Sequence, residues 1–220
     1  MTDNTFEKAR FNMVEQQVRP WEVMDSRVLR VLQQLPRENF VSDDYKGLAY
    51  ADIEIPLGHG HHMLKPTIVG RMLQALDIRP TDSILEIGTG SGYLTACLAK
   101  LGKSVVSLEI HDDIARQAAD NLAKMGLKNI TLQVGDAMSG IPEQAPFDVI
   151  AVTGSIPDCQ QVLQKELNDG GRLFMITGEA PVMKAELVTR INGDIFKQET
   201  LFETEVEALD NSPRKEAFSF

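Results

Sequence analysis

The stretch Leu85-Glu-Ile-Gly88-Thr-Gly90-Ser-Gly92 decides the fold class of this chain of 220 residues. It joins an apolar run, Ser83-Ile-Leu-Glu-Ile87, to an apolar helical pattern at about residues 91–101. Because glycine has no Cβ atom, the three glycines allow the backbone to turn sharply and to approach a ligand closely. A strand that enters a helix through such a turn is typical of α/β folds, which bind ligands at the carboxyl ends of their strands.

On the C-terminal side of this turn, strand and helix patterns alternate along the sequence. The alternation predicts a doubly wound α/β fold, with a mostly parallel sheet and helices on both faces. The turn signal Asn192-Gly-Asp194 predicts an antiparallel edge hairpin with its second strand at about 195–209. The predicted strands are Ser83–Ile87, Ser104–Leu108, Ile130–Val134, Phe147–Val152 and Arg172–Ile176, and further helices are predicted at 112–124 and 158–167.

The N-terminal third predicts a helical extension followed by a loop. Apolar residues recur at helical spacing over residues 5–35, with a break at Pro20. Residues 46–65 contain Pro and Gly and predict a loop, and Pro66 suits the first turn of a helix. We therefore expect one compact unit of three segments, namely a helical extension with an active-site loop (1–80), a ligand-binding core (81–210) and a loose tail (211–220).

Composition and charge exclude several classes of function. The net charge is −10, and no run of Lys and Arg is present to neutralise the phosphates of a duplex, so nucleic acid is not an expected partner. The polar N-terminus lacks a leader-like apolar segment and no apolar run reaches the length of a membrane span, which predicts a soluble cytoplasmic protein. Cys97 and Cys159 belong to no Cys-x-x-Cys pair, which argues against zinc–thiolate and dithiol chemistry.

The spacing of the glycines distinguishes this turn from two other nucleotide-binding motifs. A dinucleotide fingerprint needs its third glycine where this chain has Tyr93, and the Gly-Lys-Ser/Thr of a phosphate-binding loop is absent. A Gly-x-Gly-x-Gly turn preceded by an acidic residue, here Glu86, resembles motif I of class I S-adenosylmethionine (SAM)-dependent methyltransferases. The resemblance implies SAM as the cofactor, S-adenosyl-L-homocysteine as its product, and a seven-stranded Rossmann-like sheet.

Three further carboxylates stand in or just after predicted strands. Glu109 lies 21 residues after Gly88, where an acidic side chain can accept hydrogen bonds from both ribose hydroxyls. In methyltransferases that resemble this chain, the residue at the position of Asp136 binds the adenine amino group, and Asp148 has a structural or methionine-end role. Each alone is more often a solvated residue, but their joint placement favours a SAM site. The predicted cofactor-binding residues are Glu86, Gly88, Thr89, Gly90, Gly92, Glu109, Asp136 and Ala137.

Outside the glycine turn, the chain resembles the protein-L-isoaspartate O-methyltransferase family over roughly residues 8–178. The resemblance implies methylation of the side-chain carboxylate of L-isoaspartyl residues in damaged proteins and peptides. Such a carboxylate, with a pKa near ~4, is already ionised at neutral pH, so no general base is needed. The similar segments are Met13-Val-Glu-Gln-Gln-Val-Arg19-Pro, Asp25-Ser-Arg-Val-Leu, Pro36-Arg-Glu-Asn-Phe40-Val, Ala49-Tyr-Ala-Asp52, Ile55-Pro-Leu-Gly-His-Gly60, Phe147–Gly154 and Gly170-Gly-Arg-Leu.

The residues expected to meet the acceptor depart from the family pattern. Where the family typically reads Gln-Thr-Ile-Ser-x-Pro, this chain reads His61-His-Met-Leu64-Lys-Pro66, so the hydroxyls of Thr and Ser are replaced by His62 and Leu64. We predict His62 as the catalytic residue that replaces them as a hydrogen-bond donor. In the C-terminal strand, Glu205 takes the place of the family's Arg and Glu207 adds a second negative charge, which would repel an anionic acceptor.

Three functions remain open at this point. The first is isoaspartyl methylation, the second is SAM-dependent methylation of another carboxylate or a small molecule, and the third is SAM binding without transfer. No metal is predicted, because His59, His61 and His62 are loop neighbours that rarely converge on one ion and the sequence shows no Cys or carboxylate to complete a set. The sequence leaves the oligomeric state open.

Overall fold

The computed structural model describes residues 3–138, 140–141 and 143–212. Its strands form a small hairpin and one large sheet of seven strands. The hairpin consists of β1 (Ile55–Gly58) and β2 (His61–Met63), and the sheet consists of β3 (Ser83–Ile87), β4 (Ser104–Glu109), β5 (Ile130–Val134), β6 (Phe147–Ile156), β7 (Leu167–Glu179), β8 (Val182–Asn192) and β9 (Ile195–Glu203).

The helices confirm a helical N-terminus with a break just after Pro20, where Glu22 adopts a left-handed φ of 61°. None of the helices in the described ranges combines the length and the apolar character that crossing a membrane requires. The helices are α1 (Asp3–Asn12), continued by a π-helical turn (Met13–Val18) and a 3-10 turn (Arg19–Trp21), then α2 (Ser26–Gln34), 3-10 turns at Arg37–Phe40 and Asp43–Leu48, α3 (Pro66–Leu76), α4 (Tyr93–Leu101), α5 (Asp112–Lys124) and α6 (Gln161–Lys165).

The sheet has the predicted mostly parallel, doubly wound topology. Its strand order is β5-β4-β3-β6-β7-β8-β9, in which the first five strands run parallel and β8 and β9 pair antiparallel. The chain leaves β3 towards β4 and β5 on one side and later returns to add β6 and β7 on the other. This reversal makes the carboxyl ends of β3 and β6 the topological switch point, where folds of this kind form a crevice.

Two hydrophobic cores cover the two faces of the sheet. Successive strand residues point to opposite faces. Ile84 accordingly joins the core that contains the N-terminal helices, α3 and α4, whereas Leu85 joins the core that contains Leu163 of α6. Val149 and Ile150 of β6 divide in the same way. The N-terminal extension thus packs directly on the face of the sheet that bears the helix after the glycine turn.

The prediction that residues 46–65 form a loop is wrong in its second half. Ile55 pairs with Met63 in the β1–β2 hairpin, and both side chains are buried. Gly58, His59 and Gly60 have positive φ angles and form the turn between the strands. The glycines in the sequence marked the turn. The short strands are held together by Ile55 and Met63, whose side chains pack into the core on each side of the turn.

The predicted helix at 158–167 is too long, because α6 ends at Lys165 and Leu167 already belongs to β7. Leu167 pairs with Phe147, and the register of the two strands then shifts until Arg172 pairs with Val149. Gly170, with a φ of 78°, lies in this irregular stretch. Gly170 and Gly171 therefore lie within a bulged strand, which begins five residues before the predicted strand Arg172–Ile176.

The second strand of the edge hairpin also ends earlier than predicted, at Glu203. Residues 204–211, here called the strap, follow β9 and lie beside the carboxyl end of β6. The backbone N–H of Ser155 donates to the carbonyl of Glu207, and the N–H of Leu209 donates to the carbonyl of Ser155. These bonds satisfy backbone groups beyond the end of β9. Of the predicted tail, residues 213–220 lie outside the described residues.

A buried ion pair ties α3 to the sheet. The guanidinium of Arg172 in β7 donates to the carboxylate of Asp82 at 2.6 Å and to the carbonyls of Leu76 and Asp77 at 2.9 Å each. Both charged side chains are largely buried, at 11% and 6% exposure. Removing one partner of such a pair leaves the other charge buried without compensation.

We expect Arg172→Ala to lower the free energy of unfolding by about 3–5 kcal/mol, the range for breaking a buried ion pair. Urea denaturation followed by circular dichroism measures the change. Arg116→Ala, which removes the exposed pair between Arg116 and Asp112, is the matched control and should leave stability close to that of the unmodified chain. Equal effects of the two substitutions would contradict the structural role given to Arg172.

A second charged group, Glu86, lies inside the sheet beneath the glycine turn. Its side chain is fully buried, and its Oε2 atom accepts hydrogen bonds from Thr95 at 2.5 Å and from Ser107 at 2.6 Å. Burial raises the pKa of Glu86 to about 8, although the two hydroxyl donors act in the opposite direction. Ser107 is in turn hydrogen-bonded to the hydroxyl of Thr89, so Glu86 supports the turn from below.

The raised pKa of Glu86 predicts a specific pH dependence. Unfolding exposes a carboxyl with the ordinary pKa of 4.5, so between about pH 5 and about pH 8 the unfolded chain releases a proton that the folded chain keeps. This contribution to stability is complete below the unfolded pKa and is lost as pH rises through the folded pKa. Relative to Glu86→Gln, the unmodified chain should lose about 1.4 kcal/mol of stability per pH unit in this window.

Urea denaturation at several pH values, applied to both proteins, measures this difference. Parallel stability curves for the two proteins between these pH values would show that Glu86 is ionised in the folded chain and would contradict the prediction.

Candidate functional site

A cleft opens at the carboxyl ends of β3, β4 and β6, at the switch point of the sheet. The glycine turn forms its floor, the ends of β4 and β5 form one wall, and the β1–β2 hairpin and the strap lie across its mouth. Its main lining residues are Leu57, His61, His62, Leu64, Gly88, Gly90, Glu109, Ile110, Asp136, Ala137, Met138, Thr153, Glu207, Leu209 and Asp210.

The glycine turn is held tightly against the neighbouring strands. The N–H groups of Gly88 and Thr89 both donate to the carbonyl of Leu108, at 2.9 and 3.1 Å. Gly88 has a φ of 90°, and a Cβ atom at this position would lie 2.2 Å from the hydroxyl oxygen of Thr153. That hydroxyl donates to the carbonyls of Ile87 and Gly88. Only glycine therefore fits at position 88, and the backbone itself forms the surface that a ligand would meet.

Glu109, the last residue of β4, lies where the sequence predicted. Its carboxylate is almost fully buried and accepts hydrogen bonds from the N–H of Gly90 at 2.9 Å and from the N–H of His111 at 3.1 Å. Each carboxylate oxygen has two acceptor sites, so both retain one acceptor site for a ligand in the cleft. A pair of adjacent hydroxyls, such as those of a ribose, matches two oxygens held in this way.

Asp136 and Ala137 line the same cleft beside Glu109. The N–H of Gly135 donates to the carbonyl of Glu109 at 2.9 Å, which brings the turn after β5 against the end of β4. The carboxylate of Asp136 accepts from the N–H of Met138 at 2.8 Å and from the side-chain amide of Asn211 at 3.0 Å. The strap therefore closes directly onto a predicted cofactor residue.

Some predicted cofactor residues lie elsewhere. The carboxylate of Glu86 is buried behind the glycine turn, so its geometry suits support of the turn and not direct contact with a ligand. Thr89 lines a smaller adjoining cavity, and Gly92 caps the N-terminus of α4 with a φ of 84°. Asp148 lies at the opposite end of β6, where it accepts from the N–H and hydroxyl of Ser83. Of the two roles considered for Asp148, the structural one is right.

His62 lies at the boundary between the cleft and the smaller cavity and lines both. Its Nδ1 atom lies in contact with the carboxylate of Glu207 in the strap. Leu64 borders the same two cavities, and the backbone carbonyl of Leu64 accepts a hydrogen bond from the buried guanidinium of Arg37 at 2.8 Å. Lys65 faces Glu54 at 3.5 Å and does not line the cleft.

The sequence prediction placed Glu205 and Glu207 of the strap near the acceptor, but it missed Leu209, Asp210 and Asn211, and it also missed His111. Glu207, Leu209 and Asp210 line the cleft, and Asn211 holds Asp136. Nothing in the local pattern marks Leu209, Asp210 and Asn211 as part of a site, because the acidic segment looks like a solvated strand. The position of His111, two residues after Glu109, was the one available signal for a role near the ligand.

Comparison with known proteins places the chain in a family. The model of the family "Protein-L-isoaspartate(D-aspartate) O-methyltransferase" matches residues 9–208. Two relatives with the name protein-L-isoaspartate O-methyltransferase are those of Opitutus terrae, 40% identical over 86% of this chain and 83% of the relative, and of Methanoculleus marisnigri, 43% identical over 78% of each chain.

Two solved structures share the fold across nearly the whole chain. One is a protein-L-isoaspartate O-methyltransferase with a TM-score of 0.80 and 23% identity, covering 93% of this chain and 66% of the other. The second, from Plasmodium falciparum, was assigned to the same activity and solved with S-adenosyl-L-homocysteine, with a TM-score of 0.78, 20% identity and coverage of 94% and 99%. On the strength of the matched residues 9–208 and the relatives near 40% identity, the chain belongs to the protein-L-isoaspartate O-methyltransferase family of class I SAM-dependent methyltransferases.

Proposed function

We propose that this protein transfers the methyl group of SAM to the side-chain carboxylate of L-isoaspartyl residues in damaged proteins and peptides. The observation that carries the proposal is the presence in one cleft of the glycine turn, Glu109 and Asp136, in a chain that belongs to this family. The three come from different segments of the chain and meet only at the switch point of the sheet.

The residues of the cleft suit the ribose and the adenine of SAM. Glu109 would accept hydrogen bonds from the ribose hydroxyls, Asp136 would bind the adenine amino group, and Ile110 and Met138 offer apolar surface to the base. The carboxylates also suit a cofactor that carries a positively charged sulfonium and an ammonium group. Bound SAM supplies the methyl group to be transferred and becomes S-adenosyl-L-homocysteine.

The acceptor would meet the cofactor near His62 and Leu64. An isoaspartyl carboxylate is ionised at neutral pH, so this chain has to align it with the methyl group and exclude water, and does not have to remove a proton. We propose His62 as the catalytic residue that contacts the acceptor, with Glu207 orienting its imidazole ring. The buried Arg37 would assist indirectly, because it holds the backbone at Leu64.

One observation favours a second candidate, methylation of a different and less anionic acceptor. A second groove shares Glu207 with the cleft and is lined by Glu54, Glu179 and Glu205, together with Lys65, which faces Glu54. Like charges on the approach to the site disfavour an anionic acceptor. The replacement of the family's Ser by Leu64 and of its Arg by Glu205, which the sequence comparison above predicts, would both weaken the binding of an anionic acceptor.

The first experiment measures methyl transfer from labelled SAM to an isoaspartyl peptide, with the matching aspartyl peptide as the control. We expect transfer to the isoaspartyl peptide alone. His62→Ala should then lower kcat/KM while leaving SAM affinity unchanged, because His62 is proposed to contact the acceptor. SAM binding without transfer to either peptide would reject the isoaspartyl proposal and leave another acceptor, or binding without catalysis, as the function.

The cofactor assignment has its own test in calorimetry of SAM binding. We expect Glu109→Ala to weaken SAM binding by about 1–3 kcal/mol, because two hydrogen bonds to a charged group are lost. Glu199→Ala, an exposed carboxylate on β9 that pairs with Lys197, is the control and should bind SAM like the unmodified chain. Unchanged affinity of Glu109→Ala would contradict the ribose assignment.

A further inference from the structure

We infer that His61, His111 and Asp210 form a binding site for a divalent transition-metal cation, best matched by Zn²⁺, at the mouth of the cleft. The three residues come from separate segments of the chain: the start of β2, the turn after β4, and the strap. The Nε2 atom of His111 lies 2.8 Å from the Oδ2 atom of Asp210, and the Nε2 atom of His61 lies 3.2 Å from the same oxygen.

The spacing of these atoms suits a single cation. All three potential ligand atoms lie within 4.8 Å of one another. A tetrahedral Zn²⁺ with bonds of about 2.0–2.1 Å separates its ligand atoms by about 3.3 Å, so modest side-chain movement would bring this set onto one ion. Two imidazoles and one carboxylate leave a fourth position for water and are typical ligands of Zn²⁺ and of its Co²⁺ substitute.

Neighbouring groups already orient one of the ligands. The ring of His59 stacks on the ring of His111 with centroids 4.0 Å apart and an interplanar angle of 8°. His59 is itself held by the carboxylate of Asp113 at 3.0 Å. This stacking restricts the ring of His111, so less side-chain freedom is lost when the ring binds a cation.

A competing set, formed by His59, His111 and Asp113, shares one ligand with the proposed site. Its carboxylate is the more exposed, at 67% for Asp113 against 43% for Asp210, and His59 is 43% exposed against 24% for His61. The less solvated set loses less hydration and is better fixed, so we assign the cation to it. Neither set could be predicted from the sequence, because Asp113 and Asp210 stand far along the chain from His59 and His61.

A bound cation would have a structural consequence for the cleft. Asp210 belongs to the strap, whereas His61 and His111 belong to the hairpin and to the wall that carries Glu109, so a single ion would join the three across the mouth. If the cleft holds SAM as proposed above, the ion would slow the exchange of cofactor and product. The site itself does not depend on that function, and metal binding can be measured in the absence of SAM.

The test uses the full chain without an affinity tag, freed of metal by a chelator and titrated with Co²⁺. A tetrahedral site with nitrogen and oxygen ligands is expected to give visible absorption bands that saturate at one equivalent and disappear when Zn²⁺ is added. Asp210→Asn and His111→Ala should each weaken Zn²⁺ binding by at least about tenfold. Loss of a residue that only supports a metal ligand already has an effect of this size, and these substitutions alter a ligand itself.

His62→Gln is the control for the loop, and it should retain the cobalt spectrum because His62 faces Glu207 and not the proposed ion. Thermal melts in chelator establish that each variant is folded before titration. Loss of binding in Asp113→Asn but not in Asp210→Asn would move the ion to the competing set and overturn the assignment. Several weak equivalents that persist in every variant would show adventitious binding only and would reject the site.

Discussion

The structure depends on the short backbone connection between the glycine turn and the end of β4. Two successive N–H groups, from Gly88 and Thr89, donate to one carbonyl, that of Leu108, and so draw the turn across the neighbouring strand. This places the N–H of Gly90 against the carboxylate of Glu109. The floor and one wall of the cleft are thus a single hydrogen-bonded unit, which exists because a side chain at position 88 would collide with Thr153.

The strap is the second element on which the site depends, and it is held by backbone bonds that carry no sequence signal. It pairs with Ser155 just beyond the switch point and then places three acidic or amide side chains over the cleft. Glu207 meets His62, Asp210 meets His61 and His111, and Asn211 meets Asp136. Together these pairs join the strap to the β1–β2 hairpin, to the turn after β4 and to the turn after β5, so the strap completes the site and also ties its walls together.

Electrostatics divides the mouth of the cleft into two parts with different chemistry. Towards the cofactor end, the hydrogen bond from His61 lowers the pKa of Asp210 below its usual value. The hydrogen bond from His111 acts in the same direction, and burial acts against both. Towards the acceptor end, His62 and Glu207 border a groove lined by carboxylates such as Glu205. A cationic cofactor is attracted by this surface, whereas an anionic acceptor has to be bound against it.

The sequence by itself determined the doubly wound sheet, the glycine turn, and the placement of Glu109, Asp136 and Ala137, because each follows from local periodicity or from its distance to a strand end. Tertiary structure alone decided that Glu86 supports the turn from within the sheet, since burial depends on which neighbours a side chain meets. It also decided that Asp210 reaches His61 across 149 positions of the chain. Pairings of that length arise when a chain folds back on its own sheet, and no local pattern of residues encodes them.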